Sequence, residues 1–173
     1  MSYIQKGKNL IERAKALITR RSNSDVSVRG YVTIKLINAL TGEVEQEEGS
    51  NFLVNNGLLA ISSVMTGTVA TQTNYNPETI RLGTDNTAAT ATDSALGSQQ
   101  YSKTIETRAV ENSTTTVLTV NLSTAQGNGT TYEEVGLFSN NDNMLARKVI
   151  SPMSKDSNFS LVVEWKLIFA ASN

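Results

Sequence analysis

The chain contains neither cysteine nor histidine. Without cysteine there is no disulfide, no thiol nucleophile and no thiolate metal site. Without histidine, the commonest general base and the commonest metal ligand are both missing. Charge is sparse too: 18% of residues are Asp, Glu, Lys or Arg, and the net charge is −1. A disordered chain would carry more net charge and fewer β-branched residues. No apolar run reaches the roughly 18 residues of a membrane span, and the N-terminus lacks the apolar core of a secretory leader. The chain is expected to be made in a cytoplasm and to stay soluble, without a membrane partner.

These absences leave catalysis to carboxylate pairs, lysine, tyrosine or a serine–lysine pair. Glu133 and Glu134 are adjacent at an expected strand start, so they project to opposite faces. Glu47 and Glu48 have the same geometry. Pairing between carboxylates from distant segments is a matter for the fold. Asp85, Asp93 and Asp142 lie in expected loops, and oxygen ligands of this kind suit calcium. Their spacing matches no EF-hand loop, and turn chemistry accounts for residues 140–143 equally well. Gly127, Gly129 and Gly136 are loosely spaced, with no following Lys-Ser/Thr to make a phosphate loop. No catalytic residue, metal or cofactor is therefore assigned, and the chain is expected not to be an enzyme.

What is present is period-two patterning. Val28, Gly30, Val32, Ile34 and Leu36 alternate with Arg29, Tyr31, Thr33 and Lys35, the pattern of a strand. Residues 38–42 read as a turn, and 43–48 as the returning strand. Leu58, Leu59, Ile61, Val64 and Met65 predict a short helix over 53–65. Strands are expected at 78–83, 101–110, 114–122 and 133–139, and at 144–150 after the asparagine-rich turn 140–143. Residues 84–97, built of Thr, Ala, Asp and Ser, read as an extended surface loop. In the last strand, Phe159, Leu161, Val163, Trp165, Leu167 and Phe169 form one apolar face. That continuity places Trp165 in the core rather than on a sugar-stacking surface. Seven or eight strands predict a mainly β fold: an antiparallel, jelly-roll-like β-sandwich with one short internal helix and an N-terminal amphipathic helix.

The first segment is different in kind. Ile4, Leu10, Ile11, Leu17 and Ile18, with Ala14, recur at helical spacing. Lys6, Lys8, Arg13, Lys15, Arg20 and Arg21 are opposed by Glu12 alone, so six of the 15 basic residues lie in the first 21. The remainder carries 9 basic and 15 acidic residues. Residues 1–25 are read as a basic arm and linker, and 26–173 as the β-domain. The arm's apolar stripe and its cations are the candidate partner-docking residues. Nucleic acid is not the expected partner, because no aromatic stacking platform accompanies the cations and the body is acidic.

Several segments, in order, resemble small virion structural proteins of tailed bacteriophages. They are Gly30-Tyr31-Val32-Thr33-Ile34 with Asn38-Ala39-Leu40-Thr41-Gly42, then Asn51-Phe52-Leu53-Val54-Asn55-Asn56-Gly57, then Ile80-Arg81-Leu82-Gly83-Thr84, then Glu134-Val135-Gly136-Leu137-Phe138, and last the strand through Val163, Trp165, Leu167 and Phe169. The resemblance covers about residues 28–170 and leaves out the basic arm. It implies a homo-oligomer, a trimer or ring, in contact with other virion structural proteins of the tail, neck or fibre base. A head-decoration protein and a host-surface carbohydrate-binding module are the alternatives.

Overall fold

The computed structural model describes residues 25–65 and 74–172. The expected N-terminal helix, with Ile4, Leu10, Ile11, Leu17, Ile18 and the six cations, lies outside the described residues. Residues 25–27 and 170–172 belong to one unit and Val28–Phe169 to another; the second holds the core.

Among the described residues the fold is mainly β, with two antiparallel sheets and one helix. The strands are β1 (Asp25–Asn38), β2 (Val44–Ser50), β3 (Phe52–Leu53), β4 (Pro77–Gly83), β5 (Gln99–Thr104), β6 (Thr107–Glu111), β7 (Thr115–Leu122), β8 (Thr130–Ser139), β9 (Met144–Lys155) and β10 (Phe159–Ser172). Helix α1 spans Asn55–Met65. One sheet has the order β2-β1-β10-β7-β6, the other β3-β9-β8-β4-β5. The pairs β1–β2, β4–β5, β6–β7 and β8–β9 are each antiparallel neighbours within one sheet. Gly42, Asn112, Ser113 and Asp142 take positive φ at the β1–β2, β6–β7 and β8–β9 turns, where short polar residues and glycine are tolerated.

The core lies between the two sheets. Val32, Ile34 and Leu36 of β1, Leu118, Val120 and Leu122 of β7, and Leu161, Val163 and Trp165 of β10 line one side. Ile80 and Leu82 of β4, with Tyr132, Val135 and Leu137 of β8, line the other. Register explains the layer: Trp165 is opposite Leu118, Val163 opposite Val120, and Leu161 opposite Leu122. Trp165 is fully buried, as its place in the apolar run predicts.

A buried indole N–H needs a partner, and Asn51 supplies it. With its amide oriented to suit both neighbours, Asn51 accepts from Trp165 Nε1 at 2.7 Å and donates to the Gly30 carbonyl at 2.9 Å. A Cβ on Gly30 would lie 1.6 Å from the nearest atom of the Asn51 amide, so glycine is required there by packing. Asn51 also marks the point where the chain leaves one sheet (β2) for the other (β3).

The second crossing is at Ile105 and Glu106. The single strand expected over 101–110 is two strands, β5 and β6, in different sheets. Buried Ile105 turns the corner, its N–H donating to Glu78 O at 2.9 Å, while Glu106 N–H donates to Thr119 O at 2.9 Å. Ionic ties reinforce both sides. Glu47 accepts from Ser151 N at 2.6 Å and pairs with Lys148 at 3.4 Å. Arg108 pairs with Glu78 at 2.9 Å.

Gly57 is required by close packing of α1 on β9: a Cβ there would meet Leu145 O at 2.1 Å. No helix among the described residues is long and apolar enough to cross a membrane. Asn51→Ala strands the Trp165 N–H in the core, and a loss of about 1–3 kcal/mol is expected from such an unsatisfied donor. Urea unfolding followed by Trp165 fluorescence measures it.

Candidate functional site: a buried arginine under a strap

The densest cluster of ionisable groups lies on the outer face of the second sheet. Its centre is Arg147, on β9. Its side chain is 4% exposed, and that of its neighbour Glu134 on β8 is fully buried. Arg147 Nε donates to Glu134 Oε2 at 2.9 Å, Nη1 to Asp93 Oδ2 at 3.0 Å and Nη2 to Asp85 Oδ2 at 2.9 Å. Three carboxylates from separated segments thus converge on one guanidinium, whose planar fork suits this bridging.

The two aspartates belong to residues 84–98, which take in the segment 84–97 expected to be an extended surface loop. It has no regular secondary structure, but it is tied down at every stage. Glu134 accepts from three of its backbone N–H groups: Asp85 at 3.3 Å, Gly97 at 3.1 Å and Ser98 at 2.9 Å. Asp93 closes a local turn, accepting from Thr90 N at 3.0 Å and from the Thr90 hydroxyl at 2.6 Å. Asp85 accepts from the Thr87 hydroxyl at 2.9 Å. Ala91 O accepts from Asn55 N at 2.9 Å, which ties the segment to the start of α1. The loop is a strap.

Three glycines make room for it. A Cβ on Gly83 would lie 2.3 Å from Glu134 Oε1, and one on Gly97 would lie 2.1 Å from Asp85 Oδ2. A Cβ on Gly136 would lie 2.8 Å from Phe138 Cε2 and 3.0 Å from Leu96 Cδ2. Gly136 thus admits the apolar end of the strap. Leu96 is buried with Val54, Phe138 and Met144 in a second, smaller core. Arg81 lies over the Phe138 ring, 4.1 Å from its centroid, and also pairs with Asp142.

The electrostatics follow from this geometry. The Thr87 hydroxyl, with Arg147 adding to it against some desolvation, holds Asp85 below the usual carboxylate range. Burial pushes Asp93 up, but hydrogen bonds from Thr90 and Arg147 outweigh it and the net shift is downward. Glu134 has about four lone-pair sites, and the three amides and Arg147 Nε use them. Among the described residues, no group of three or more Asp or Glu is arranged to hold a metal. At this cluster the guanidinium takes the central place that a cation would need. Asp85 and Asp93, singled out from the sequence as oxygen ligands, are therefore brought together, but around arginine. Asp142 is elsewhere, against Arg81. The sequence signal for Arg147 and Glu134 was faint: each is a strand charge beside a second charge, Lys148 and Glu133, and nothing in the sequence marks which of the two turns inward.

A second buried cation has a similar task. Lys155 Nζ donates to Asn128 Oδ1 at 2.7 Å and to Asp156 O at 2.9 Å. Burial lowers its pKa, against the pull of Asp156. With the Tyr132 hydroxyl on Gly127 O at 2.8 Å, it fixes the turn through Gly127 and Gly129.

Arg147→Met leaves Glu134 buried without its counter-ion, and a loss of about 3–5 kcal/mol is expected. Chemical denaturation reads it, and strap residues should then become protease-sensitive before the rest. Acid should loosen the same cluster. Asp85 and Asp93 are lowered in the folded state, so their contribution is present above the unfolded carboxylate value of about 4. It is lost as pH falls through the lower folded values. Urea midpoints measured from pH 6 down to 2 should drop below about pH 4, and the Asp85→Asn/Asp93→Asn double variant should flatten that drop.

The chain matches no protein-family model, no curated protein and no solved structure.

Proposed function

We propose that the chain is a non-enzymatic structural protein of a tailed-phage virion. It assembles as a symmetric oligomer in the tail, neck or fibre-base region and docks on neighbouring virion subunits through its N-terminal segment. The observation that carries the non-enzymatic half is the saturation of the buried charges. Glu134 has no lone pair left to accept a proton from a substrate, and the cations Arg147 and Lys155 are spent on holding loops. Each is used to make a surface rigid.

Support for the virion half comes from the ordered motifs that resemble small phage structural proteins. In the fold they occupy packing positions. Ile80, Leu82, Val135, Leu137, Val163 and Trp165 face the core, while Gly83 and Gly136 seat the strap. Exposed apolar side chains add to it: Leu40, Phe52, Leu58, Leu59 and Val110 are all largely open to solvent. Apolar surface of this kind favours contact with partners when it gathers into patches.

Cryo-microscopy of the particle tests the reading. Density for this fold in the tail, neck or fibre base is the expected result, and deletion of residues 1–21 should abolish incorporation while leaving the β-body folded. Density on the capsid lattice would replace the tail reading with head decoration, and specific glycan binding by the purified protein would favour a host-recognition module. Turnover of a polysaccharide would overturn the non-enzymatic reading.

A further inference from the structure

At one end of the body an apolar groove of about 260 Å³ opens between the two sheets and α1. Leu53, Ala60, Ile61, Tyr75, Leu167 and Phe169 are among the residues that line it. Water gains little in such a place, because apolar walls offer it few hydrogen bonds. The helix beside it carries no charged residue in Asn55–Met65 and keeps Leu58 and Leu59 about half exposed. An uncharged helix with exposed leucines offers apolar surface to a partner.

We infer that this groove receives the N-terminal segment of a second copy of the chain. The inference rests on the assembly reading above and names both the neighbour and the receiving surface. Three observations fix the occupant. Twenty-four residues precede Asp25, where the described chain begins. Within them Leu10, Ile11, Leu17 and Ile18 recur at the spacing that predicts an apolar helical stripe. The charges are complementary, since residues 1–21 carry six cations against one anion and the remainder carries nine against fifteen. Two bodies therefore repel, while the arm of one copy is drawn to the body of the next. The groove supplies the apolar contact and the acidic body the attraction that steers it. An arm-to-body contact is heterologous, so it closes into a ring when the rotation allows.

The absence of native cysteine makes the test direct. Leu17→Cys and Ile61→Cys are introduced together in the full chain, and light and isotope-heavy copies are mixed before oxidation. The expected result is a disulfide joining a light copy to a heavy one. Mass photometry should show oligomers of the unmodified chain that fall to monomer in a Leu10→Asp/Leu17→Asp variant. The melting curve of that variant's β-body should be unchanged. Three results would overturn the inference: a disulfide within one copy only, no disulfide at all, or oligomers that survive the arm substitutions. In the last case assembly stands and uses another surface. A chain that stays monomeric and never enters particles would sink the assembly reading as well. Because Ile61→Cys lies in the groove, Ala60→Trp is the companion variant: it should block the groove and abolish oligomers while leaving the arm intact.

Discussion

The outer face of the second sheet depends on one ion, the guanidinium of Arg147. A single buried positive charge answers three carboxylates, one fully buried and two at the edge of solvent. Isolated, a buried arginine would be costly. Here its N–H groups are matched by acceptors, and the most buried acceptor is itself matched by backbone donors. The arrangement turns fifteen residues, mostly Thr, Ala, Ser and Asp, into a defined surface. It also covers Leu96, Val54, Phe138 and Met144, which would otherwise expose a second apolar patch. A polar network of this sort is strong when complete and weak when broken, so the strap should be held or lost as a unit.

Much of the β architecture was legible in the sequence. The strands through Val32, Val120 and Trp165 announce themselves by alternation, because side chains on a strand face one way every second residue. The strand through Val135 is less regular, and a bulge between Tyr132 and Glu134 explains why. Helix α1 was legible from Leu58, Leu59, Ile61 and Val64. The corner at Ile105 was not: Ile105 continues an alternating pattern, and only its burial between two sheets shows that the chain changes partner there.

The cluster at Arg147 was legible only in fragments. Asp85 and Asp93 stood out as loop carboxylates, but a sequence cannot show what lies 54 or 62 positions away in space. Glu134 read as one of two adjacent acids at a strand start. The glycines were visible, yet their reason was not, since a missing Cβ signals close approach without saying of what. Gly136 and Gly57 both resolve to contacts with particular neighbours, Leu96 and the Leu145 carbonyl. Compositional blandness hid the strap for the same reason: its order comes from partners outside it.

The placement of β1 has a consequence for how the chain comes to be folded. Its neighbours are β2, next in sequence, and β10, the last strand of all. The first strand made must therefore wait for the last before its sheet can close, and β3 similarly waits for β9. Contacts this distant in sequence slow folding, because the intervening chain must be gathered before they form. During synthesis, the exposed β1–β2 hairpin would spend most of the ribosome's transit with an unpaired edge. On the other side, β2 stays an edge strand in the finished sheet, and the acidic residues Glu43, Glu45, Glu47 and Glu48 on and beside it oppose pairing with another chain.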